Sequence, residues 1–573
     1  MNRNRFVKYL AVCSGTIVSA PSILVRKDSA SPENKIVTLQ SGQELKADLV
    51  ICGGGLGGCA AALAALRNDL RVIMTEETRW IGGQISQQGV PPDEHQWIET
   101  HGCTKLYRTL RNRIREYYFK NYQLTSQARN QRYFNPGNGS VSRLCHEPRV
   151  AVAVLNDMLA PYLQSGKLTL LTGYKLHSAE VISHTIRSVA VNNPTEGKTI
   201  ILTAPYFIDA TETGDLLPLS GTSFITGSEA AEETHELHAG SIARPGNNQA
   251  FTMCFAMDYL PGEDHTIEKP AEYDFWTNYK PALTPPWPGK LISLSYSNPS
   301  GLKPRELAFD PEGNDTGPLL NLWEYRRIID RKNFSAQNFP EDITVVNWPQ
   351  NDFMAGNLIG AGAEEFKRQV ERSKQLSLSL LYWLQTEAPL RGKGYGWKGL
   401  RLRKDIMGTD DGFAMHPYIR ESRRIKARFT VLEEHVGKEN RELVSGQKKV
   451  LLAKDFYDTI GIGYYHIDLH PTCGGDNYID FDSLPFQIPL GALIPEHTEN
   501  LIPACKNIGT THITNGCFRL HPVEWNLGES AGALVAFALH KKLSPSAIYE
   551  NKQALSAFQD FIRQQGIETH WPV

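Results

Sequence analysis

The chain has 573 residues, 41% of them hydrophobic, and a formal net charge of −2. That length can bury a large core and corresponds, as a prior, to roughly three or four domains' worth of chain. The near-balanced charge argues against a broadly basic nucleic-acid surface, and the apolar content against extensive disorder.

Residues 1–30 stand apart. Arg3, Arg5 and Lys8 make a basic start, residues 9–25 are uncharged and mostly apolar or small, and Val18-Ser19-Ala20 has the small residues of a cleavage site. The pattern reads as an export signal, and the expected location is exported, periplasmic. Arg3-Asn4-Arg5-Phe6-Val7-Lys8 resembles a degenerate twin-arginine signal with Asn in place of one arginine. An ordinary N-terminal helix packed on the core is the competing reading. Pro21 interrupts the run, which is short for a membrane span, and no later segment reads as one.

Ala47-Asp48-Leu49-Val50-Ile51-Cys52 predicts a short buried strand. Gly53-Gly54-Gly55-Leu56-Gly57-Gly58 follows at once and satisfies G-x-G-x-x-G through Gly53, Gly55 and Gly58. Residues 59–67 are rich in Ala and Leu and predict a helix; residues 71–75 predict a second strand that ends at Glu76. Each part has a physical task. Gly53 permits the tight turn, Gly55 lets the backbone approach a pyrophosphate, and Gly58 lets the helix pack close to the sheet. The start of the helix, at Leu56 and Gly57, offers free N–H groups to phosphate. Glu76 stands where a carboxylate accepts from ribose hydroxyls. A second match, Gly394-Tyr395-Gly396-Trp397-Lys398-Gly399, follows a polar, basic segment and precedes no helical period, so it reads as a loop.

Beyond the acid, Arg79-Trp80-Ile81-Gly82-Gly83-Gln84 places a glycine pair where the backbone can run close along an extended cofactor. Residues 101–122 predict an amphipathic helix with Leu106, Leu110 and Ile114 on one face and a solvated arginine face opposite. His146-Glu147-Pro148-Arg149 opens an Ala/Leu helix reaching Leu163, and residues 168–171 read as a strand. Tyr206-Phe207-Ile208-Asp209-Ala210-Thr211, followed by Gly214-Asp215, is a strand running into a turn. Residues 236–450 are rich in Pro, Trp and Tyr, with long helices expected over 363–386 and 420–436. Near the end, Asn500-Leu501-Ile502-Pro503-Ala504 leads to Asn507, Arg519, Pro522 and a helix through Trp525-Asn526-Leu527-Gly528.

These blocks resemble the family of FAD-dependent oxidoreductases with a glutathione-reductase-like flavoprotein fold. The resemblance covers about residues 47–540 in separated pieces, and includes the segments 418–424 and 464–471. It implies an α/β fold: a discontinuous, Rossmann-like FAD-binding domain with an inserted α+β substrate or cap domain. The division expected is 45–100, 145–235 and 451–545 for the FAD-binding domain, 101–144 for a helical insertion, 236–450 for the cap, and 546–573 for a C-terminal tail. It implies FAD as cofactor. The residues implied to hold it are the turn Gly53, Gly55, Leu56, Gly57 and Gly58, the acid Glu76, and Gly82, Gly83 and Gln84. Ala210, Thr211 and Asp215 belong to the middle block, and Asn507, Arg519, Asn526, Leu527 and Gly528 to the last. The chain departs from the family at Cys505-Lys506, where many relatives of the fold have Gly and a polar or charged residue.

The implied activity is hydride transfer from a small polar molecule, from a C–H next to O or N, onto the flavin, with the electrons passed to an unknown acceptor. A flavin needs the protein mainly to orient substrate, move a proton and tune charge. Histidine suits the proton, and His466, His470, His512 and His521 are the candidates, His470 and His521 first. Arg420 and Arg423 could grip an anion; ion pairs with nearby acids are the competing reading. Nine cysteines occur without any C-x-x-C spacing, so no redox dithiol and no metal site are expected. No second dinucleotide fold is visible, so no bound nicotinamide is expected. Two other readings remain at this point: a flavin-dependent reductase of activated C=C bonds, as in fumarate-reductase-like relatives, and a non-catalytic carbohydrate-binding protein.

Overall fold

The computed structural model describes residues 40–572 apart from 315, 336, 337, 391 and 393. The expected export segment at 1–30 lies outside the described residues, as do Arg391 and Lys393 of the basic segment before the second glycine motif. Among the described residues no helix is long and apolar enough to cross a membrane.

A first short strand, β1 (Glu44–Lys46), precedes the glycine-motif unit β2 (Leu49–Cys52), α1 (Leu56–Arg67) and β3 (Val72–Glu76). Helix α2 (Lys105–Asn121) and helix α3 (Pro148–Gln164) lead to β4 (Leu168–Thr172), then β5 (Lys175–Ile182), β6 (Thr185–Asn193), β7 (Lys198–Thr203) and β8 (Tyr206–Asp209). β2, β3, β4, β8 and one strand from near the C-terminus, Leu501–Pro503, form a wholly parallel five-stranded sheet. Its order is Leu501–Pro503, β8, β2, β3, β4. Buried on both faces, its central strands are continuous apolar runs, as parallel sheets require. The two-residue period decides what each side meets. Leu49, Ile51, Val72 and Met74 join the main core with α1, while Val50, Cys52, Ile73 and Phe207 join a smaller core. There they meet Val189, Val191, Ile200 and Leu202 of the second sheet, whose order is β1, β7, β6, β5.

Residues between β8 and the C-terminal strand supply a second structural layer. β9 (Phe255–Tyr259), β10 (Arg327–Ile329), β11 (Ile343–Val346) and β12 (Leu400–Leu402) form an antiparallel sheet in the order β10, β11, β9, β12. Helix α4 (Ala363–Thr386) occupies the span expected for it, and buries Leu376, Leu380, Leu381 and Leu384. They pack in a separate core containing Trp276, Trp323, Trp348 and Trp397. The chain then runs through β13 (Ile467–Leu469) and β14 (Leu501–Pro503) into α5 (His512–Phe518) and the long α6 (His521–Lys541). This is a mixed α/β protein with a Rossmann-like domain drawn from distant parts of the chain and an additional domain inserted in it.

Three expectations differ from the structure. The helix expected over 420–436 does not form. Only Glu433–Val436 is helical, and Arg424–Ile425 instead pairs in extended form with Phe224–Ile225. Arg420 and Arg424 are fully buried and ion-paired to Asp352, Glu229 and Glu421, so tertiary contacts override local propensity. The arginine face of α2 is not all solvated. Arg111 bridges Glu94 and Glu99, at 2.8 Å to each, and Arg115 also holds Glu99; both arginines are buried. The segment 546–573, expected as a tail, instead completes the core with its described residues, 546–572. Helix α7 (Lys552–Gln564) buries Leu555, Phe558 and Ile562, and the Trp571 indole donates to the Phe486 carbonyl.

Candidate functional site

The glycine turn opens where β2 meets α1. Gly53 has φ +102°, and a Cβ on it would lie 2.3 Å from the Ala210 carbonyl oxygen. A Cβ on Gly57 would meet the Ala504 oxygen at 1.7 Å, and one on Gly58 the Gly53 oxygen at 2.1 Å. These three glycines are forced by backbone packed against backbone. Gly55 differs: its free side faces Glu212 Oε1 at 3.3 Å and Glu524 Oε1 at 3.7 Å. The Gly82-Gly83 loop lies directly alongside, with the Gly82 N–H donating to the Gly54 carbonyl at 2.8 Å.

Glu76 is buried at the end of β3. Its Oε2 accepts the Gly54 N–H at 3.1 Å, and Oε1 accepts from the Thr78 N–H and the Gln87 amide. Burial pushes its carboxyl up to about 7, with Glu77 adding to the effect. Glu76 thus ties the turn to the strand end. Asp209 closes the next strand, accepting from Thr211 N–H and Oγ1 and from the Leu216 N–H. Thr211 Oγ1 accepts the Asp215 N–H at 2.7 Å, and Asp215 pairs with Arg423. The Asn507 amide donates to the Asp209 carbonyl at 3.0 Å.

On α6, Gly528 meets α1: a Cβ there would lie 2.0 Å from the Gly57 oxygen. Asn526 faces the strand Thr459–Gly463, accepting the Ile462 N–H. Leu527 lies wholly buried in the main core. Gln84 reaches the same helix and the turn before it, donating to Glu524 and to the Arg519 carbonyl. The glycine cradle, the adjacent glycine loop and a set of buried polar atoms without partners fit an extended dinucleotide whose pyrophosphate lies at the start of α1. Those atoms are both amide atoms of Gln88 and Arg519 Nε.

A second polar cluster lies beyond Arg519. His470 follows β13, and its Nδ1 is 2.6 Å from Asp352 Oδ2 while Nε2 is 3.7 Å from Asp468. Asp352 also pairs with Arg420 at 3.1 Å and accepts from Thr252. Arg519 pairs with Asp468 at 2.9 Å and donates to the Tyr418 hydroxyl. Arg420 and Arg326 are joined through Asn347, whose side-chain oxygen accepts from one and whose carbonyl accepts from the other. Arg326 faces Asp93 at 3.5 Å. Burial would raise the Asp468 carboxyl, but His470, Arg519 and His466 hold it well below the usual range. Burial likewise opposes Arg420 and His470 at Asp352, and the charges win.

The structure brings His466, His470, His521, Arg420 and Arg519 to one region, in different states. His466 pairs with Asp480 at 3.1 Å, and that contact raises its pKa against burial. His521 is fully buried. Its Nδ1 accepts the Asp93 N–H at 3.0 Å, and burial pushes it down to about 4, so it is neutral at neutral pH. His512 lies apart, 2.7 Å from Glu421, in a cluster with Glu229 and Arg424. Sequence reasoning missed Asp352, Asp468, Asp93, Arg326 and Asn347. Asp468 had a readable signal, because His466-Ile467-Asp468-Leu469-His470 alternates polar and apolar and sets the three polar residues on one face of a strand.

No curated protein matches the chain. Among solved structures, L-proline dehydrogenase from P. horikoshii is 14% identical over 33% of this chain and 24% of its own, with a TM-score of 0.17. Glycerol-3-phosphate dehydrogenase from Bacillus halodurans, complexed with FAD, is 11% identical over 37% and 40%, at 0.23. The flavin-dependent monooxygenase PieE, in complex with FAD and substrate, is 12% identical over 38% and 36%, at 0.22. The chain spans less than half the length of each of these structures. The family model described as "FAD dependent oxidoreductase" matches residues 48–561, from the first residues of the glycine-motif unit into α7. With that span and the dinucleotide cradle it contains, the chain belongs to the family of FAD-dependent oxidoreductases.

Proposed function

We propose that this enzyme removes a hydride and a proton from a small polar organic molecule, at a C–H next to O or N. The observation that carries the reading is the Asp352–His470 pair, with His470 Nε2 left to face the polar cluster. Bound FAD supplies the hydride acceptor. The residues proposed to hold it are the glycine turn, Glu76, the Gly82–Gln84 loop, the Ala210–Asp215 turn, Asn507, Arg519 and the start of α6.

The chain's own groups do the rest. Asp352 anchors Nδ1 of His470, which fixes the ring and leaves Nε2 as the proton acceptor. Arg420, Arg326 and Arg519 are buried and paired, so they offer fixed N–H directions to substrate oxygens at little reorganisation cost. Tyr418, stacked under the Arg420 guanidinium at 4.7 Å, holds it in place. The electrons pass to an acceptor such as oxygen or a quinone. We further propose that the protein is exported to the periplasm; mass spectrometry of the mature N-terminus tests it, and an intact Met1 overturns it.

Anaerobic screening of small alcohols, amines, sugars and acids for bleaching of the bound flavin tests the main reading. A bleaching compound is expected, and His470→Gln should slow the bleaching about 10²–10⁴-fold, the usual worth of a positioned base. The three arginines also favour a second reading, the reduction of an activated C=C bond in an anionic substrate. Reoxidation of the reduced flavin by enoates, with no compound bleaching the oxidised form, would select it.

A further inference from the structure

The cradle at the start of α1 is suited to an anion, yet acids already surround it. Glu524, in the first turn of α6, accepts the Gly57 N–H at 3.1 Å through Oε1 and the Gln84 amide through Oε2. Glu212, in the turn after β8, aims Oε1 at Gly55; this oxygen is buried and has no hydrogen-bond partner. Lys506, from the turn after β14, holds the other oxygen of Glu212 at 2.5 Å. All three side chains are at least nine-tenths buried. His416, which also faces Glu212, is neutralised by its pair with Glu77 at 2.9 Å, so two carboxylates and one ammonium leave the cradle one negative charge in excess.

A pyrophosphate diester brings two more negative charges. The start of a helix offsets about half a charge. The remaining like charges stand within a few ångströms in a buried site, where one of them is neutralised at least cost by a proton. We infer that Glu524 takes up a proton as FAD binds, so that cofactor loading is coupled to pH. This rests on the reading that the pyrophosphate lies at Gly55–Gly57.

The neighbours select Glu524 rather than Glu212. Burial raises the Glu524 carboxyl, Lys506 opposes that and Glu212 reinforces it. Burial acts on Glu212 too, but Lys506 and His416 hold it low. Gln84 is neutral, and burial raises the nearby thiols of Cys505 and Cys59, which therefore add no charge. Glu76 is tied to Gly54, Thr78 and Gln87.

The sign follows from linkage. FAD binds the protonated form better, so affinity is highest at low pH. It weakens by up to about tenfold per pH unit between the value of Glu524 in the free protein and its higher value in the complex. Deflavinated protein titrated with FAD from pH 6 to 9 tests this by quenching of flavin fluorescence and by calorimetry in two buffers of different ionisation enthalpy. The expected result is uptake of about one proton per FAD and a Kd that rises with pH. Glu524→Gln should abolish the uptake, flatten the profile and bind FAD at least about tenfold more tightly than wild type at pH 9.

A flat wild-type profile with equal heats in both buffers overturns the inference, and the wild-type calorimetry needs no variant to fold. Glu212, Cys505 and Glu524 could also present ligand atoms to a metal ion, all within 4.8 Å of one another. Loss of FAD affinity on adding EDTA, restored by Mg²⁺, overturns protonation in favour of a bridging cation. Failure to bind FAD at any pH overturns the pyrophosphate reading itself, which separates the two failures.

Discussion

Asp352 has no exposed surface, and its two oxygens serve His470, Arg420 and Thr252. Removing it strands a guanidinium that is itself buried. Asp352→Ala should therefore cost about 3–5 kcal/mol in urea unfolding, the usual cost of breaking a buried ion pair. His470→Ala leaves Asp352 Oδ2 without its partner, so it should cost about 1–3 kcal/mol in unfolding, less than Asp352→Ala, while losing flavin bleaching. Just beyond the end of β3, burial opposes the charged form of Glu77, but His416 and Lys175 hold its carboxyl down to about 2. Burial likewise opposes the charged form of His416, but Glu77 pushes it up to about 9. The raised His416 stabilises fully below 6.5, its ordinary value, and this stabilisation is lost as pH rises through 9. The lowered Glu77 stabilises above 4.5 and is lost as pH falls through about 2. Wild-type thermal stability should then fall by on the order of 2 kcal/mol between neutral pH and pH 9, discounted because Glu77 is about a third exposed. His416→Gln should remove that alkaline loss, as melting curves across pH would show. His470 was legible because it directly follows an alternating strand that carries Asp468. Asp352 was not, since it comes from the inserted domain, 118 positions away, and carries no local pattern.

At the scale of elements, the crossing of α1 and α6 fixes the cradle. A Cβ on Gly528 would lie 2.0 Å from the Gly57 oxygen, and one on Gly532 2.2 Å from the Ala61 oxygen. Both obstacles are backbone, so the helices must move apart. Gly532→Ala should cost about 1–3 kcal/mol by overpacking, and it should release FAD as Gly57 shifts. Gly246→Ala, with nothing within 4 Å of the added atom, is the control. Flavin absorbance and melting temperature of the purified variants check both. The α1 side of this contact was readable as small residues following a strand and a glycine turn. The failures have a common cause. On α2 and over 420–436 the chain mixes charged and apolar residues, and the same composition serves a solvated face or a buried one whose charges are paired. Only the partners, Glu94 and Glu99 for one and Asp352 and Glu229 for the other, decide between them. Those acids lie outside the local window that periodicity can see.

At the scale of the molecule, the cofactor cradle is complete only when distant parts of the chain meet. β2, α1 and β3 supply the turn, the Ala210–Asp215 segment its floor, and β14 with α6 its far wall. β14 pairs with β8, and α6 lies on α1 with most of its length buried. A chain ending at Glu499 lacks that wall. It exposes the hydrogen-bonding edge of β8 and the apolar side of α1, a combination that favours aggregation. It should be recovered insoluble, and refolded material should retain no flavin absorbance. A chain ending at Glu550 lacks residues 551–573, α7 among them, but keeps β14 and α6. It loses the burial of Phe558 and Ile562, and with Phe558 alone stability on the order of 3–5 kcal/mol. Its cradle residues all remain, so it should bind FAD and melt at a lower temperature. If the shorter chain binds FAD as well as the longer one, then β14 and α6 are not needed for the cradle, and the pyrophosphate does not rest against α6.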